Sequence, residues 1–286
     1  MATQLADLTQ RSKRRIYSFS LFGAVISLVL FVGFPFFWII STSLKPTQFI
    51  ITSQIHLLPP ALTFDHYIQV FTFGDFGRYF INSSSLAIGT VALNALVVTP
   101  AAFAVAILKV RGAKTISRLV LSLQMLPGIL LLVPLYVILQ DFGLLDSRLG
   151  LILSYTTFTI PFCFLLTSSY FATLPTEMFE CAFVDGASTL TSFFRIAIPL
   201  IGPGLATTSV FAFVFSWNDF MFANTFSSSS ATRTLTVEVS RLLGVWGTEW
   251  GALTAGVTVI TLPIILIFAF GHRYIVDGLT MGSVKG

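Results

Sequence analysis

Six stretches of this 286-residue chain run for about twenty residues or more without Asp, Glu, Lys or Arg: Ile16 to Leu44, Tyr79 to Leu108, Leu119 to Gln140, Leu149 to Thr176, Ile196 to Asn218 and Trp250 to His272. Each is long enough to cross the hydrocarbon core of a bilayer as a helix. Inside that core every backbone polar group needs an internal partner, which leaves helices and closed barrels as spanning structures. A barrel needs short segments of alternating polarity, whereas these windows are apolar on every side. A composition of 55% hydrophobic and 10% charged residues excludes disorder and argues against an ordinary soluble domain. The expectation is an all-α transmembrane chain of six helices. It divides into a cytosolic segment 1–15, a transmembrane domain 16–276 and a cytosolic tail 277–286.

Orientation follows from the basic residues. With the N-terminus in the cytoplasm, Arg11, Lys13, Arg14, Arg15, Lys109, Arg111, Lys114, Arg118, Arg195, Arg273 and Lys285 fall inside. Lys45, Arg78, Arg148, Arg233 and Arg241 fall outside, eleven against five. The net charge of +4 is thus spread over loops at one membrane face, as topology and anionic headgroups require, and is not a nucleic-acid patch. The run after Arg15 exceeds a signal-peptide core and lacks a small-x-small cleavage site, so it reads as an uncleaved first span.

The chemistry of catalysis is missing. A phosphate-binding loop needs Gly-Lys followed by Ser or Thr, and the chain has no Gly-Lys pair. No nucleophile and base stand together, so no catalytic residue is assigned. His56, His66 and His272 lie in separate segments and give no metal-ligand spacing. Cys163 inside a span and Cys181 outside one sit at different depths, which predicts no disulfide.

The polar stretch between the fourth and fifth windows reads as a helix–turn–helix elbow outside the bilayer. Pro175 suits a first helical turn, Thr173 or Thr176 can cap it, and Glu177 and Glu180 lie near the positive end of its dipole. Gly186 is the stop. A second run from Ser188 to Ile196 closes at Pro199. Met178, Cys181, Ala182 and Asp185 share one face by helical spacing, and the small pair lets a partner's backbone approach.

Glu180, Cys181, Ala182, Gly186, Ile196, Ile198 and Pro199 resemble the EAA loop of ATP-binding-cassette importer permeases, with Cys181 in place of the usual first Ala. Further matches are Ser43-Leu44-Lys45, Asn82-Ser83, Trp217-Asn218-Asp219-Phe220 and the C-terminal run Gly278 to Gly286. Together they resemble the maltose-type carbohydrate branch. That resemblance implies a six-helix type I importer permease fold with a cytosolic coupling elbow at about 175–199. It implies ATPase coupling through Glu180, Cys181, Ala182, Asp185 and Gly186. It also implies partners: a second permease subunit, a cassette ATPase dimer that uses ATP and Mg, and an extracytoplasmic solute-binding protein, beside membrane lipid and no nucleic acid. This chain itself binds no cofactor, and its place is the bacterial inner membrane with both termini cytosolic. The cargo is a sugar or sugar-like solute, with glycerol phosphate, a polyol or another osmolyte as the alternative. An ion-gradient transporter would need ionisable groups at midplane, and the windows hold none.

For the substrate path, Trp217, Asn218 and Asp219 close the fifth window with an indole, an amide and a carboxylate. These suit a sugar, and equally an interfacial anchor and a solvated helix end. Asn94 and Gln124 are amides within their windows, either lining a cavity or joining helices. The segment Thr47 to Phe80, with Phe64, Tyr67, Phe71, Phe73 and Phe76, either packs on the permease or meets a delivering protein. Ser227 to Ser230 reads as a flexible connector. Pro35, Pro100, Pro127, Pro134 and Pro161 interrupt spans.

Overall fold

The computed structural model describes the backbone of residues 2–73, 75–244 and 247–281, and the side chains of 20–72, 75–244 and 248–271. The tail motif beyond Met281 and the side chains of Arg11 to Arg15, Phe73, His272 and Arg273 lie outside these. Helices follow in the order α1 (Ala2–Ser43), α2 (Asp65–Phe73), α3 (Phe76–Ala106), α4 (Ala113–Gln124), α5 (Leu132–Asp141), α6 (Arg148–Phe171), α7 (Thr176–Val184), α8 (Thr189–Ser192), α9 (Ile198–Leu200), α10 (Gly202–Asn218), α11 (Met221–Phe226), α12 (Leu235–Ser240) and α13 (Trp250–Met281). A two-residue ladder, β1 (Leu243–Gly244) with β2 (Gly247–Thr248), is antiparallel and pairs Leu243 with Thr248. Helix α1 begins at Ala2 and α13 reaches Met281, so backbone helix extends beyond both expected domain limits, 15 and 277.

Four spans are continuous: Ser20–Ser43, Phe76–Ala106, Arg148–Phe171 and Trp250–Gly271. The other two windows are bent, by 98° between Ala113–Gln124 and Gly128–Asp141 and by 77° between Thr189–Leu200 and Gly202–Asn218. The six-helix reading counts each of these windows as one helix, and the two bends divide them. At the first bend Pro127 has no N–H to continue α4, and its extended ψ of 130° turns the chain. Gly128 then lies so near α6 that a Cβ there would meet the Phe158 ring at 2.4 Å, and only glycine allows the approach. At the second bend the chain turns at Ile201, and Pro203 starts α10 because a first-turn residue needs no donor. Pro35, Pro100 and Pro161, by contrast, sit inside unbroken helices.

The chain forms two compact units, residues up to Val70 with Leu242–Thr258, and Phe71–Arg241 with Val259 onward. In the larger unit α3, α6 and α10 pack together. Their buried apolar side chains include Leu86, Val98, Phe103, Leu151, Phe164, Phe171 and Ala212. Hydroxyls along these helices donate to the carbonyl one turn back, Thr90 to Leu86, Thr159 to Tyr155, Thr208 to Gly204 and Ser216 to Ala212. A helix in lipid can therefore carry them at little cost.

The smaller unit is organised around the end of α1. Ser41 Oγ donates to the Leu57 carbonyl (2.6 Å), Thr63 N to the Leu44 carbonyl (3.0 Å), and Ser43 Oγ pairs with the Tyr67 hydroxyl (2.7 Å). His66 is buried and its Nε2 donates to the Lys45 carbonyl at 2.9 Å, a structural role. Gln69 Nε2 donates to the Glu249 carboxylate.

Candidate functional site

The elbow is built as a helix, a glycine turn and a second helix. Helix α7 ends in a Schellman motif: Gly186 adopts φ +84°, the Ala187 amide donates to the Ala182 carbonyl (2.9 Å) and the Gly186 amide to that of Phe183 (3.1 Å). Ser188 opens the second arm by accepting from the Thr191 amide at 3.2 Å. Two details differ from expectation. Neither Thr173 nor Thr176 caps α7; Thr173 Oγ1 donates back to the Tyr170 carbonyl, and Pro175 precedes the helix. The second arm does not close at Pro199 either. It widens into a π-turn over Phe193–Ala197, with the Ile198 amide donating to Phe193, and passes through Pro199 to the bend at Ile201.

Of the residues assigned to coupling, Glu180, Cys181, Asp185 and Gly186 are exposed and Ala182 is half-buried. Phe183, Val184, Leu190 and Phe194 are exposed apolar side chains beside them. The opposite side of the elbow is anchored. Phe179 of α7 and Phe193 of the π-turn are buried against Phe103 of α3, with ring centroids 5.8 and 5.2 Å away, and Phe171 of α6 closes the cluster at 5.6 Å. Aromatic contacts of this kind are short, stiff and well defined in angle. One face is thus free for a partner while the other is wedged into the bundle. Sequence reasoning missed Phe103, because nothing marks it among 30 phenylalanines.

The residues assigned to the substrate path separate. Trp217 is only 2% exposed, stacked on Phe213 (5.6 Å), edge-on to Phe80 (5.4 Å), with its Nε1 donating to the Ile260 carbonyl (3.0 Å). It packs inside the bundle, and neither the sugar platform nor the interfacial anchor describes it. Asp219 accepts from the Ala223 and Phe222 amides (3.0 and 3.5 Å) and opens α11, while exposed Asn218 donates to the Val214 carbonyl. Asn94 joins helices, donating to Thr159 Oγ1 of α6 (2.7 Å) and to the Thr90 carbonyl (3.0 Å). Asn94 also borders a small cleft between α3, α6 and α10, and Gln124 lines a larger cavity. That cavity, about 440 Å³, lies under the first bend and is otherwise walled mainly by Leu123, Leu126, Phe158, Phe162, Phe211 and Phe215.

The serine run is pinned, which corrects the flexible-connector reading. Asp146, at φ +53°, accepts from the Ser228 and Ser229 amides (3.0 and 3.1 Å) and from the Thr232 hydroxyl. Asn82 donates to the carbonyls of Ser230 (3.2 Å) and Arg233 (2.9 Å) and accepts from Arg148 (2.8 Å). Ser83 accepts from the Leu235 amide at 2.9 Å. Burial works against ionisation of Asp146, but the hydrogen bonds from Thr232, Ser229 and Ser228 outweigh it and hold the carboxyl well below the usual carboxylate range. A depressed carboxyl stabilises the fold fully above its unfolded value near pH 4 and loses that effect as pH falls through the folded one. Asp146→Ala is therefore expected to cost about 2 kcal/mol at pH 7, and to differ progressively less from the parent below about pH 4. Thermal unfolding of the two purified chains across that range measures it, and a difference independent of pH would overturn the assignment.

Residues 98–280 match the family described as "Binding-protein-dependent transport system inner membrane component". The chain is 36% identical over 262 residues to the trehalose transport system permease protein SugB of Mycobacterium tuberculosis, covering 90% of this chain and 95% of that one. It is 33% identical over 277 residues to the inner membrane ABC transporter permease protein YcjP of Escherichia coli, covering 96% and 99%. In fold it is similar to a chain in the crystal structure of a bacterial ABC transporter that imports the acidic polysaccharide alginate, with a TM-score of 0.80 at 20% identity, over 91% of this chain and 96% of that one.

Proposed function

Because this chain belongs to the family of binding-protein-dependent transport system inner membrane components, it is a multi-pass inner-membrane permease subunit, and we propose that its cargo is a sugar or sugar-like solute. The relatives named for trehalose, diacetylchitobiose and alpha-glucosides support that cargo over glycerol phosphate or a polyol. A solute-binding protein delivers it, a second permease subunit completes the path, and a separate cassette ATPase dimer supplies the work with ATP and Mg. The termini lie in the cytosol, on the side of the elbow, as the excess of Lys and Arg there supports.

The observation that carries the coupling reading is the two-faced elbow. Glu180, Cys181, Asp185 and Gly186 are exposed on one side, while Phe179 and Phe193 are buried on the other. A body docked on the free face moves the bundle through the wedged one, together with the backbone that joins the elbow to α6 and α10. Glu180 supplies a charge for that contact, Cys181 and Ala182 allow close approach, and Asp185 and Gly186 set the turn. Closure of the ATPase pair displaces the elbow, and the spans exchange inward for outward opening to the extent that the two states bind the ATPase differently.

Glu180→Lys is expected to reduce uptake at least tenfold in proteoliposomes containing all subunits, and to weaken recovery of the ATPase with this chain, without changing the amount inserted in the membrane. Uptake at the parent rate would refute the coupling role. Purification of the native complex gives the identity of the partners directly, and recovery without a cassette ATPase would overturn the proposal as a whole.

A further inference from the structure

The segment from Pro46 to Phe64 joins α1 to α2 and contains no Asp, Glu, Lys or Arg. Only one short turn of it, Thr47–Phe49, is helical. Beyond that turn Ile51, Ile55, Leu57, Leu58, Leu62 and Phe64 are all exposed, Ile55 at 80% and Leu58 at 69%. A protein surface in water does not present so many large apolar side chains together unless something covers them. Irregular backbone, on the other hand, cannot enter the hydrocarbon core, because its amides and carbonyls would lose their water. The depth that satisfies both demands is the headgroup region.

Where the segment sits supports that depth. It folds back beside the last turn of α1, held by Ser41 Oγ on the Leu57 carbonyl and by the Thr63 amide on the Leu44 carbonyl. This is the place where an apolar span of 24 residues ends. Trp38, one turn earlier in α1, has the Lys45 ammonium 4.1 Å from the centre of its ring. An indole and a long-stemmed cation at a helix end are the pair that marks a membrane–water boundary. The apolar surface is therefore continuous with the exposed apolar surface of α1.

We propose that residues 50–64 form a foot lying in the bilayer interface, on the leaflet at the Ser43 end of α1. Its apolar side chains enter the acyl boundary while the backbone and Thr52, Ser53, Gln54 and His56 remain among the headgroups. Having no formal charge, the foot engages zwitterionic lipid as well as anionic lipid. Its mechanical effect is to fix the level of α1, whose long apolar run could otherwise slide or tilt to match different thicknesses. The inference rests on the chain spanning a membrane and not on the identity of the cargo, so its failure would leave the import reading intact.

The test uses the complete importer in nanodiscs of phosphatidylcholine. Leu58→Cys in a Cys181→Ser background, Cys163 being buried, carries a nitroxide whose relaxation is compared among oxygen, a headgroup-tethered nickel chelate and a soluble nickel complex. Relaxation by oxygen and by the tethered nickel several-fold stronger than by the soluble complex is expected, and Ile55→Cys should behave alike. Dominance of soluble nickel would place the segment in water. A weak response to all three would mean that a partner subunit or the binding protein covers it. Either result overturns the foot.

Discussion

Phe103→Ala is expected to lower the stability of the chain by about 3–5 kcal/mol and to reduce the solute moved per ATP hydrolysed. The side chain is the common contact of Phe171, Phe179 and Phe193, so truncation leaves a cavity bordered by three elements that cannot all close on it. Phe179 and Phe193 are also the buried anchors of the elbow. Once the ring between them and α3 is gone, a displacement of the elbow is absorbed in the void. Phe103→Leu, which refills most of the volume without the flat contacts, should recover most of the stability and less of the coupling. Apparent melting temperature in detergent, together with the ratio of uptake to ATP hydrolysis in proteoliposomes, separates the two effects. A stability loss below about 1 kcal/mol would show that the cluster does not bear load.

Trp217→Ala should rank beside it, at about 3–5 kcal/mol, and for a reason opposite to solute contact. Its indole fills the space between Phe80 and Phe213 and donates to the Ile260 carbonyl. The variant is expected to reduce the amount of assembled complex while leaving the KM for solute unchanged in the complexes that remain. Trp217→Phe keeps one stacked ring but loses the donor and part of the buried volume, an intermediate change of about 1–3 kcal/mol. A variant that assembles normally and transports with a raised KM would return Trp217 to the substrate path.

Much of the architecture could be read from residue order. A charge-free run of twenty residues has few ways to exist in a protein, so the passages were legible as a number. The bends were not, because Pro35, Pro100 and Pro161 carry the same local signal as Pro127 and sit in unbroken helices. What distinguishes Pro127 is tertiary, the close seat of Gly128 on Phe158. The exposed face of the elbow was legible from glycine, small residues and a carboxylate at helical spacing. Its buried face was not, since Phe179 and Phe193 look like any other phenylalanine in an apolar chain. Trp217 shows the converse error: polar neighbours in sequence suggested a polar role, but Asn218 and Asp219 point their bonds into backbone and the indole turns inward. The serine run illustrates the same limit, because the residue that orders it, Asp146, lies more than eighty positions away.

The π-turn between the elbow and the fifth passage bears on how chains of this kind can vary in length. Such a turn accommodates one residue beyond what an α-helical turn holds. Removing a single residue from 193–197 could tighten it to an ordinary turn while the helices on either side keep their phase, so that Ser192 and Ile201 would still present their present faces. Deletion of one residue between the elbow and the bend is thus expected to be neutral in register, whereas the same change inside α10 would rotate every later side chain by about 100° and dismantle its packing.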